Sequence, residues 1–73
     1  MSNEKKYPFL LIDLGSKIKQ LRLNKGLTQS ALSMICDMEK ASVSRIEAGL
    51  INVSFTTLCR LSEGLETPVK DFF

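Results

Sequence analysis

Residues 27–49 constrain the fold of this chain more than any other stretch, because they hold two short helical patterns with only a tight turn between them. The first pattern opens at Thr28, a residue type that often caps the N-terminus of a helix. The apolar residues that follow at helical spacing are Ala31, Leu32, Ile35 and Cys36. Asp37 comes next, and aspartate tolerates the left-handed conformation of a sharp turn, although glycine adopts it more easily. We therefore predict a short helix that ends at this turn.

The second pattern begins directly after that turn. Met38 precedes the pattern and Val43 lies one turn inside it, which predicts a hydrophobic staple if Glu39, a weak capping residue, is the N-cap. Gly49 stands where a helix commonly ends at a residue with positive φ. The side chains predicted to face inward are Val43, Ile46 and Glu47. Two short helices joined by a tight turn are the arrangement with which proteins place a helix in the major groove of DNA.

A longer helix is predicted before this unit. Its apolar positions recur at steps of three and four residues, at Leu11, Leu14, Ile18 and Leu21. This spacing predicts a helix from about Ile12 to Asn24. Residues 1–6 are polar and charged, which favours a flexible start. The apolar residues 7–12 either form an arm over the core or over a partner subunit, or in part begin the helix. We expect residues 1–11 to be a flexible segment and residues 12–73 to be the folded domain.

Two further helices are predicted after this unit. Ser54 is a good N-cap for the fourth helix. The apolar face of that helix is formed by Phe55, Leu58, Leu61 and Leu65. Thr67 and Pro68 form an N-cap and first-turn pair, which predicts a short fifth helix over residues 68–73. The loop at residues 50–53 is unusually apolar, so we expect it to be partly buried, with a partner surface as the alternative. Five short helices without a strand pattern predict an all-α domain.

Length and residue types narrow the functions that the chain can serve. With 73 residues there is room for one domain with a small core, which buries only about 60% of its extended surface and gains from association. The chain has no histidine, which removes most zinc sites and the commonest general base together. Cys36 and Cys59 are interpreted as small core residues and not as a disulfide framework. No run approaches roughly 18 apolar residues, so we expect no membrane span, and we expect a cytoplasmic location.

The net charge of +2 is too small to indicate a nucleic-acid partner by itself, but its distribution is uneven. Residues 13–49 hold six basic and four acidic side chains, whereas residues 50–73 hold two basic and three acidic ones. The part of the chain that contains the two short helices is therefore the basic part.

Residues 13–73 resemble the lambda-repressor-like helix-turn-helix family, also called the Cro or xenobiotic-response-element family. The matching residues are Leu27, Thr28, Gln29, Leu32, Val43, Ile46, Glu47 and Gly49, with Arg22, Leu58, Leu65 and Phe73 in the flanking helices. Each residue is unspecific alone, but Thr-Gln-x-x-Leu, an apolar residue eleven positions later and Ile-Glu-x-Gly in register form a specific combination. The chain departs from the family at Ser33, Asp37, Glu39 and Val53, where the family prefers Ala, Gly, Ser or Thr, and Pro. Because of these departures, the DNA sequence that the protein would bind cannot be predicted from the family.

The resemblance implies a compact five-helix domain in which helices 2 and 3 form the helix-turn-helix. It implies a transcriptional regulator, of repressor or controller type, that binds a pseudo-palindromic operator in double-stranded DNA as a homodimer. We expect no catalytic residue, cofactor, metal or small-molecule ligand. The alternative is a protein-interaction module that keeps the fold without DNA binding, such as a partner-neutralising antitoxin-like protein, and Glu39 and the modest net charge favour it. An enzyme is a more distant alternative, because the carboxylates form no paired constellation.

The predicted DNA contacts lie on both sides of the turn. Gln29 is the first residue of helix 2, where backbone N–H groups lack intrahelical partners. Its side-chain amide can bind a phosphate oxygen, can support a base-reading residue on helix 3, or can simply be solvated. The resemblance places the base-reading positions on Lys40, Ala41 and Arg45, with phosphate contacts as the alternative for the two basic residues. The full predicted set is Thr28, Gln29, Lys40, Ala41, Ser42, Ser44, Arg45 and Asn52.

Two further groups of residues are assigned roles in holding the molecule together. Arg22 and Glu47 both fall on faces that turn inward, and the family typically pairs these positions, so we expect a partly buried ion pair, with two unrelated surface charges as the alternative. The candidates for the dimer interface are Leu65, Phe72 and Phe73. Phe73 can instead cover the core of its own chain.

Overall fold

The structure, a computed structural model, describes residues 8–73, and four α-helices follow one another in this part of the chain. Helix α1 covers Pro8–Asn24, α2 covers Gln29–Ile35, α3 covers Lys40–Glu47 and α4 covers Phe55–Leu65, and a 3-10 helix covers Val69–Phe72. No strand occurs among the described residues, in agreement with the all-α prediction. None of these helices is long and apolar enough to cross a membrane.

Every helix contributes side chains to one hydrophobic core. The buried apolar residues are Leu14, Ile18, Leu32, Cys36, Val43, Ile46, Leu58, Leu61, Leu65 and Phe72. The central positions are those of Ile18, Leu32 and Leu61, which have no exposed surface. Because α1, α2, α3 and α4 share this core, the two short helices are held in a fixed relation to each other and to the rest of the domain.

All four α-helices end at a residue in the left-handed conformation. These residues are Gly26 (φ 70°), Asp37 (φ 55°), Gly49 (φ 73°) and Glu66 (φ 52°). In the turn between α2 and α3, the N–H of Met38 then donates to the carbonyl of Ser33 at 2.8 Å, as in a Schellman motif. The predicted roles of Asp37 and Gly49 are confirmed, and the left-handed residue turns the chain sharply enough to start α3 after α2.

Helix α1 begins at Pro8, earlier than the predicted start near Ile12. Proline is favoured in the first turn of a helix, because its missing N–H would have no intrahelical partner there. The apolar pattern did not reveal this turn because Phe9, Leu10 and Ile12 are each more than half exposed. The folded part therefore starts before the predicted domain boundary, and residues 1–7 of the predicted flexible segment lie outside the described residues.

The prediction of a fifth α-helix is wrong, because the segment Val69–Phe72 forms a 3-10 helix. The hydroxyl of Thr67 donates to the carbonyl of Leu65 at 3.0 Å instead of capping this helix, and Pro68 occupies the N-cap. The N–H of Asp71 donates to the carbonyl of Pro68 at 2.9 Å, which is the tighter i to i+3 bond. A segment this short closes only such a turn, and the turn directs the side chain of Phe72 into the core.

Helices α1 and α3 pack closely at Gly15, in the middle of α1. A Cβ atom at this position would collide with the backbone carbonyl oxygens of Ile46 and Glu47 near the end of α3. Glycine weakens a helix by roughly 0.5–1 kcal/mol relative to alanine, so its presence here is explained by the close approach of two backbones. Gly15 thus helps to set the position of α3 on the domain.

Candidate nucleic-acid interface

The N-terminus of α2 is capped by Thr28. Its side-chain Oγ1 accepts a hydrogen bond from the N–H of Ala31 at 3.0 Å, and its backbone is extended (φ −79°, ψ 166°). The N–H groups of the first two residues of the helix, Gln29 and Ser30, have no partner within the helix. Thr28 is exposed and Gln29 is half-buried. The predicted N-cap is confirmed, and this helix end presents donors toward its surroundings.

Arg22 of α1 and Glu47 of α3 form a buried, two-pronged ion pair. Nε of Arg22 donates to Oε2 of Glu47 at 2.6 Å, and Nη2 donates to Oε1 at 3.0 Å. The two side chains are only 8% and 3% exposed. By accepting these hydrogen bonds, the Glu47 carboxylate raises the pKa of the Arg22 guanidinium above its ordinary value. The geometry therefore excludes the alternative of two unrelated surface charges.

Two more hydrogen bonds extend this ion pair to the start of the helix-turn-helix. Nη1 of Arg22 donates to the carbonyl of Leu27 at 2.7 Å, just before α2. Nε2 of Gln29 donates to Oε1 of Glu47 at 3.1 Å. Gln29 is thus not simply solvated, and the residue of α3 that it braces is the inward-facing Glu47, not one of the predicted base readers. The network joins α1, α2 and α3 through the charged pair and the neutral amide of Gln29, all of which are hydrogen-bonded.

The outer face of α3 is open to solvent. The side chains of Lys40, Ala41, Ser44 and Arg45 are exposed, and that of Ser42 is half-buried. The inner face consists of Val43, Ile46 and Glu47, all of which are buried. This division agrees with the predicted orientation of α3. Its surface carries two long basic side chains beside small residues, which is a surface that can approach a DNA groove closely.

The loop after α3 is partly buried, as predicted. Ile51 and Val53 pack against the core, whereas Leu50 is 70% exposed. Asn52 lies between the two packed residues with its side chain exposed. This anchoring holds Asn52 in a defined place beyond the end of α3.

Two of the three residues predicted for a dimer interface lie instead in the core. Leu65 has no exposed surface and Phe72 is 2% exposed, because α4 and the 3-10 helix turn them toward the other helices. Phe73 is 81% exposed and therefore does not cover the core of its own chain. It lines an apolar groove of about 510 Å³ together with Leu10, Leu14, Val53 and Leu58. Leu10 was not among the predicted interface residues, but it belongs to the apolar segment 7–12, for which an arm over a partner subunit was one alternative, and α1 places it on this surface.

Both cysteines are free. Cys36 is buried, and its Sγ donates to the carbonyl of Arg60 at 3.4 Å. Burial raises the pKa of the Cys36 thiol above its ordinary value, which disfavours the reactive thiolate. Within residues 8–73 there is no group of three His, Cys, Asp or Glu side chains placed to hold a metal ion.

The fold and the exposed face of α3 define a class of protein, namely all-α domains built around a helix-turn-helix. The chain belongs to the helix-turn-helix family HTH_3, whose sequence model matches residues 18–72. It is 36% identical over 58 residues to the control protein C.BamHI of Bacillus amyloliquefaciens. That alignment covers 78% of this chain and 72% of C.BamHI. It is 35% identical over 63 residues to the control protein C.MunI of a Mycoplasma species, and that alignment covers 85% of both chains.

Solved structures of controller proteins have the same fold. The restriction-modification controller protein C.AhdI from Aeromonas hydrophila superposes with a TM-score of 0.85 at 28% identity, over 86% of this chain and 96% of that one. The controller protein C.Esp1396I, solved as a tetramer in complex with its natural 35 base-pair operator, superposes with a TM-score of 0.82 at 34% identity, over 89% of this chain and 86% of that one.

Proposed function

We propose that this protein is a sequence-specific regulator of transcription that binds double-stranded DNA as a homodimer, with α3 in the major groove. One observation carries the proposal: α3 presents an outer face of exposed donors and small residues, while its inner face is fixed by a buried ion pair. A rigid helix with such a face is what recognition of base edges requires. Similar proteins support this function, because C.BamHI and C.MunI are control proteins and the similar restriction-modification controller C.Esp1396I was solved in complex with its operator.

The exposed residues of α3 divide the work of recognition by their chemistry. Lys40 and Arg45 donate to guanine O6 and N7, and Ala41 packs on a thymine methyl group. Ser42 and Ser44 are small and let the helix approach the base edges. Such contacts specify sequence, because the major groove presents a different pattern of donors and acceptors for each base pair.

The residues at the two ends of the unit position the protein on the DNA backbone. Thr28, Gln29 and Asn52 are the candidates, and none of them carries a charge. The side-chain amide of Gln29 donates one hydrogen to Glu47 and has a second hydrogen that can be donated to a phosphate oxygen. The N–H groups at the start of α2, which lack partners within the helix, lie beside it. Contacts of this kind fix orientation without reading sequence.

Dimerisation is proposed through the apolar groove that Phe73 lines with Leu10. The two copies of α3 are then expected about one turn of DNA apart, roughly 34 Å. Sedimentation of the wild type at tens of micromolar should show a dimer, and Phe73→Ser should dissociate it, while Met34→Ser, which alters another exposed apolar side chain, should not. A wild type that is monomeric at this concentration contradicts the dimer.

Titration of labelled duplex DNA tests the function itself. The probe is the region upstream of the gene for this protein, and the control is a scrambled duplex of the same composition, each at about 50 and 200 mM salt. Preferential and salt-sensitive binding to the upstream duplex supports the regulator. Equal affinity for both duplexes, or no binding at micromolar protein, contradicts it, and a protein partner recovered in that case favours the interaction module.

Three variants then separate positioning from reading. Gln29→Ala should weaken binding to every sequence alike, whereas Arg45→Ala should lose about 1–3 kcal/mol chiefly at one base pair of each half-site. Lys40→Ala should flatten the preference at a second base pair if it reads a base, or lower the salt slope by about 0.9 per subunit if it contacts a phosphate. Equal losses on all operators for Arg45→Ala would place that residue on the backbone.

A further inference from the structure

The carboxylate of Glu39, directly before α3, has no partner among residues 8–73. Glu39 is the N-cap of α3, yet its side chain makes no capping hydrogen bond, whereas Thr28 and Ser54 cap α2 and α4 at 3.0 and 3.1 Å. The ion pairs among the described residues join other side chains, Arg22 with Glu47 and Lys25 with Glu66. Glu39 is exposed, so its charge is free to act on whatever faces the start of α3.

A free carboxylate at this place is unfavourable for binding DNA in general. The first turn of a recognition helix enters the groove most deeply, between two rows of phosphates. The phosphates of every DNA sequence repel a negative charge at this place. A hydrogen bond from a base to the carboxylate is needed to offset that repulsion. Most atoms on the major-groove edges are acceptors, namely guanine N7 and O6, adenine N7 and thymine O4. Donors are offered only by the amino groups of cytosine and adenine.

We propose that Glu39 is a specificity-determining residue that accepts a hydrogen bond from the N4 amino group of a cytosine. The inference rests on the proposed function and names one base that the protein reads. Cytosine fits better than adenine because its major-groove edge offers the amino donor without an adjacent N7 acceptor that would repel the carboxylate. At the other bases the carboxylate meets acceptors, so the residue discriminates mainly by penalising wrong sequences.

The neighbouring Lys40 supports this assignment. It follows Glu39 in the chain and is exposed at the same end of α3, so the start of this helix offers both an acceptor and a donor. A C·G base pair presents the complementary order, with an amino donor on cytosine and the O6 and N7 acceptors on guanine. An adjacent glutamate and lysine therefore match a C·G pair better than any other.

The test compares Glu39→Gln with Asp37→Asn. Both replacements remove one exposed carboxylate charge with little change in size, and asparagine tolerates the left-handed backbone at position 37 (φ 55°). Affinities are measured on an operator and on its single-base variants. The wild type should prefer cytosine at one position of each half-site by about 5- to 150-fold. Glu39→Gln should change that preference to adenine, whose N6 and N7 suit a glutamine amide, while Asp37→Asn should leave it unchanged.

A second variant distinguishes base reading from a role in the helix alone. Glu39→Ser introduces a residue that can cap α3 with its side chain, so the melting temperature should stay the same or rise. The preference for cytosine should nevertheless disappear. If Glu39→Gln and Asp37→Asn strengthen binding to all operators by the same factor, with the base preferences intact, the carboxylate acts only through general repulsion and the inference is overturned. If the wild type itself shows no sequence preference, the proposed function fails first.

Discussion

Removing the Glu47 carboxylate should destabilise this protein more than any change on its surface. In Glu47→Ala the guanidinium of Arg22 loses two hydrogen bonds, of 2.6 and 3.0 Å, and keeps only the one to the carbonyl of Leu27. The amide of Gln29 loses its acceptor as well. Since the Arg22 side chain is only 8% exposed, water cannot replace these partners without opening the domain.

The expected magnitude follows from that burial. Breaking one partner of a buried pair costs about 3–5 kcal/mol, and the low exposure of both side chains places this pair within that range. A domain of this size has a free energy of unfolding of about 5–10 kcal/mol, so the variant should retain only a small fraction of it. With a urea m-value of about 1 kcal/mol/M, the midpoint should fall by about 3 M or more.

Urea denaturation followed by circular dichroism measures the effect, with Lys25→Ala as the control. Lys25 belongs to an exposed ion pair of 3.2 Å with Glu66, and such pairs contribute about 0–1 kcal/mol. The double variant Arg22→Met with Glu47→Leu should recover most of the loss, because it removes both buried charges. If Glu47→Ala destabilises no more than Lys25→Ala does, the ion pair contributes nothing to the fold and the reasoning is refuted.

Three further outcomes are expected. Gly15→Ala should lower the free energy of unfolding by about 3 kcal/mol, the upper end of the usual cost of overpacking, because its methyl group meets backbone oxygens of α3. Gly26→Ala, in open space at φ 70°, should lower it by about 1–2 kcal/mol, and equal losses for the two variants contradict the close packing. In native protein Cys59 should react with iodoacetamide well before Cys36, whose thiol is buried with a raised pKa, and equal rates contradict that burial. Ser54→Ala should lower the free energy of unfolding by about 1 kcal/mol through the lost cap of α4, and an unchanged melt contradicts the cap.

The parts of the fold that the sequence predicted are those marked by local signals. Both short helices have a recognisable start or end in the chain, such as Thr28 at the start of α2 and Gly49 after α3, so their limits followed from capping and turn chemistry alone. The ion pair of Arg22 and Glu47 spans 25 residues, and it followed from the cost of burying single charges combined with the family resemblance.

The parts that could not be predicted depend on how the helices pack against each other. A helical pattern shows which face is apolar, but it does not show whether that face packs against the same chain or against a second copy. Leu65 and Phe72 were therefore assigned to a dimer interface, although they lie in the core of their own chain. Gly15 gave a signal, a glycine in the middle of a helix, that was not used. The bond from Gln29 to Glu47 depends on the distance between two helices, which no local pattern contains.

Selection of binding sites from a pool of random duplexes tests the central claim most directly. If a dimer places two copies of α3 in the major groove, the enriched sequences should contain two inverted half-sites whose centres lie about 10 base pairs, or one helical turn, apart. Lys40→Ala with Arg45→Ala in the same chain should abolish that enrichment while the protein stays folded, since both side chains are exposed. A pool in which the wild type enriches no motif, or in which the double variant selects the same motif, would contradict recognition through α3.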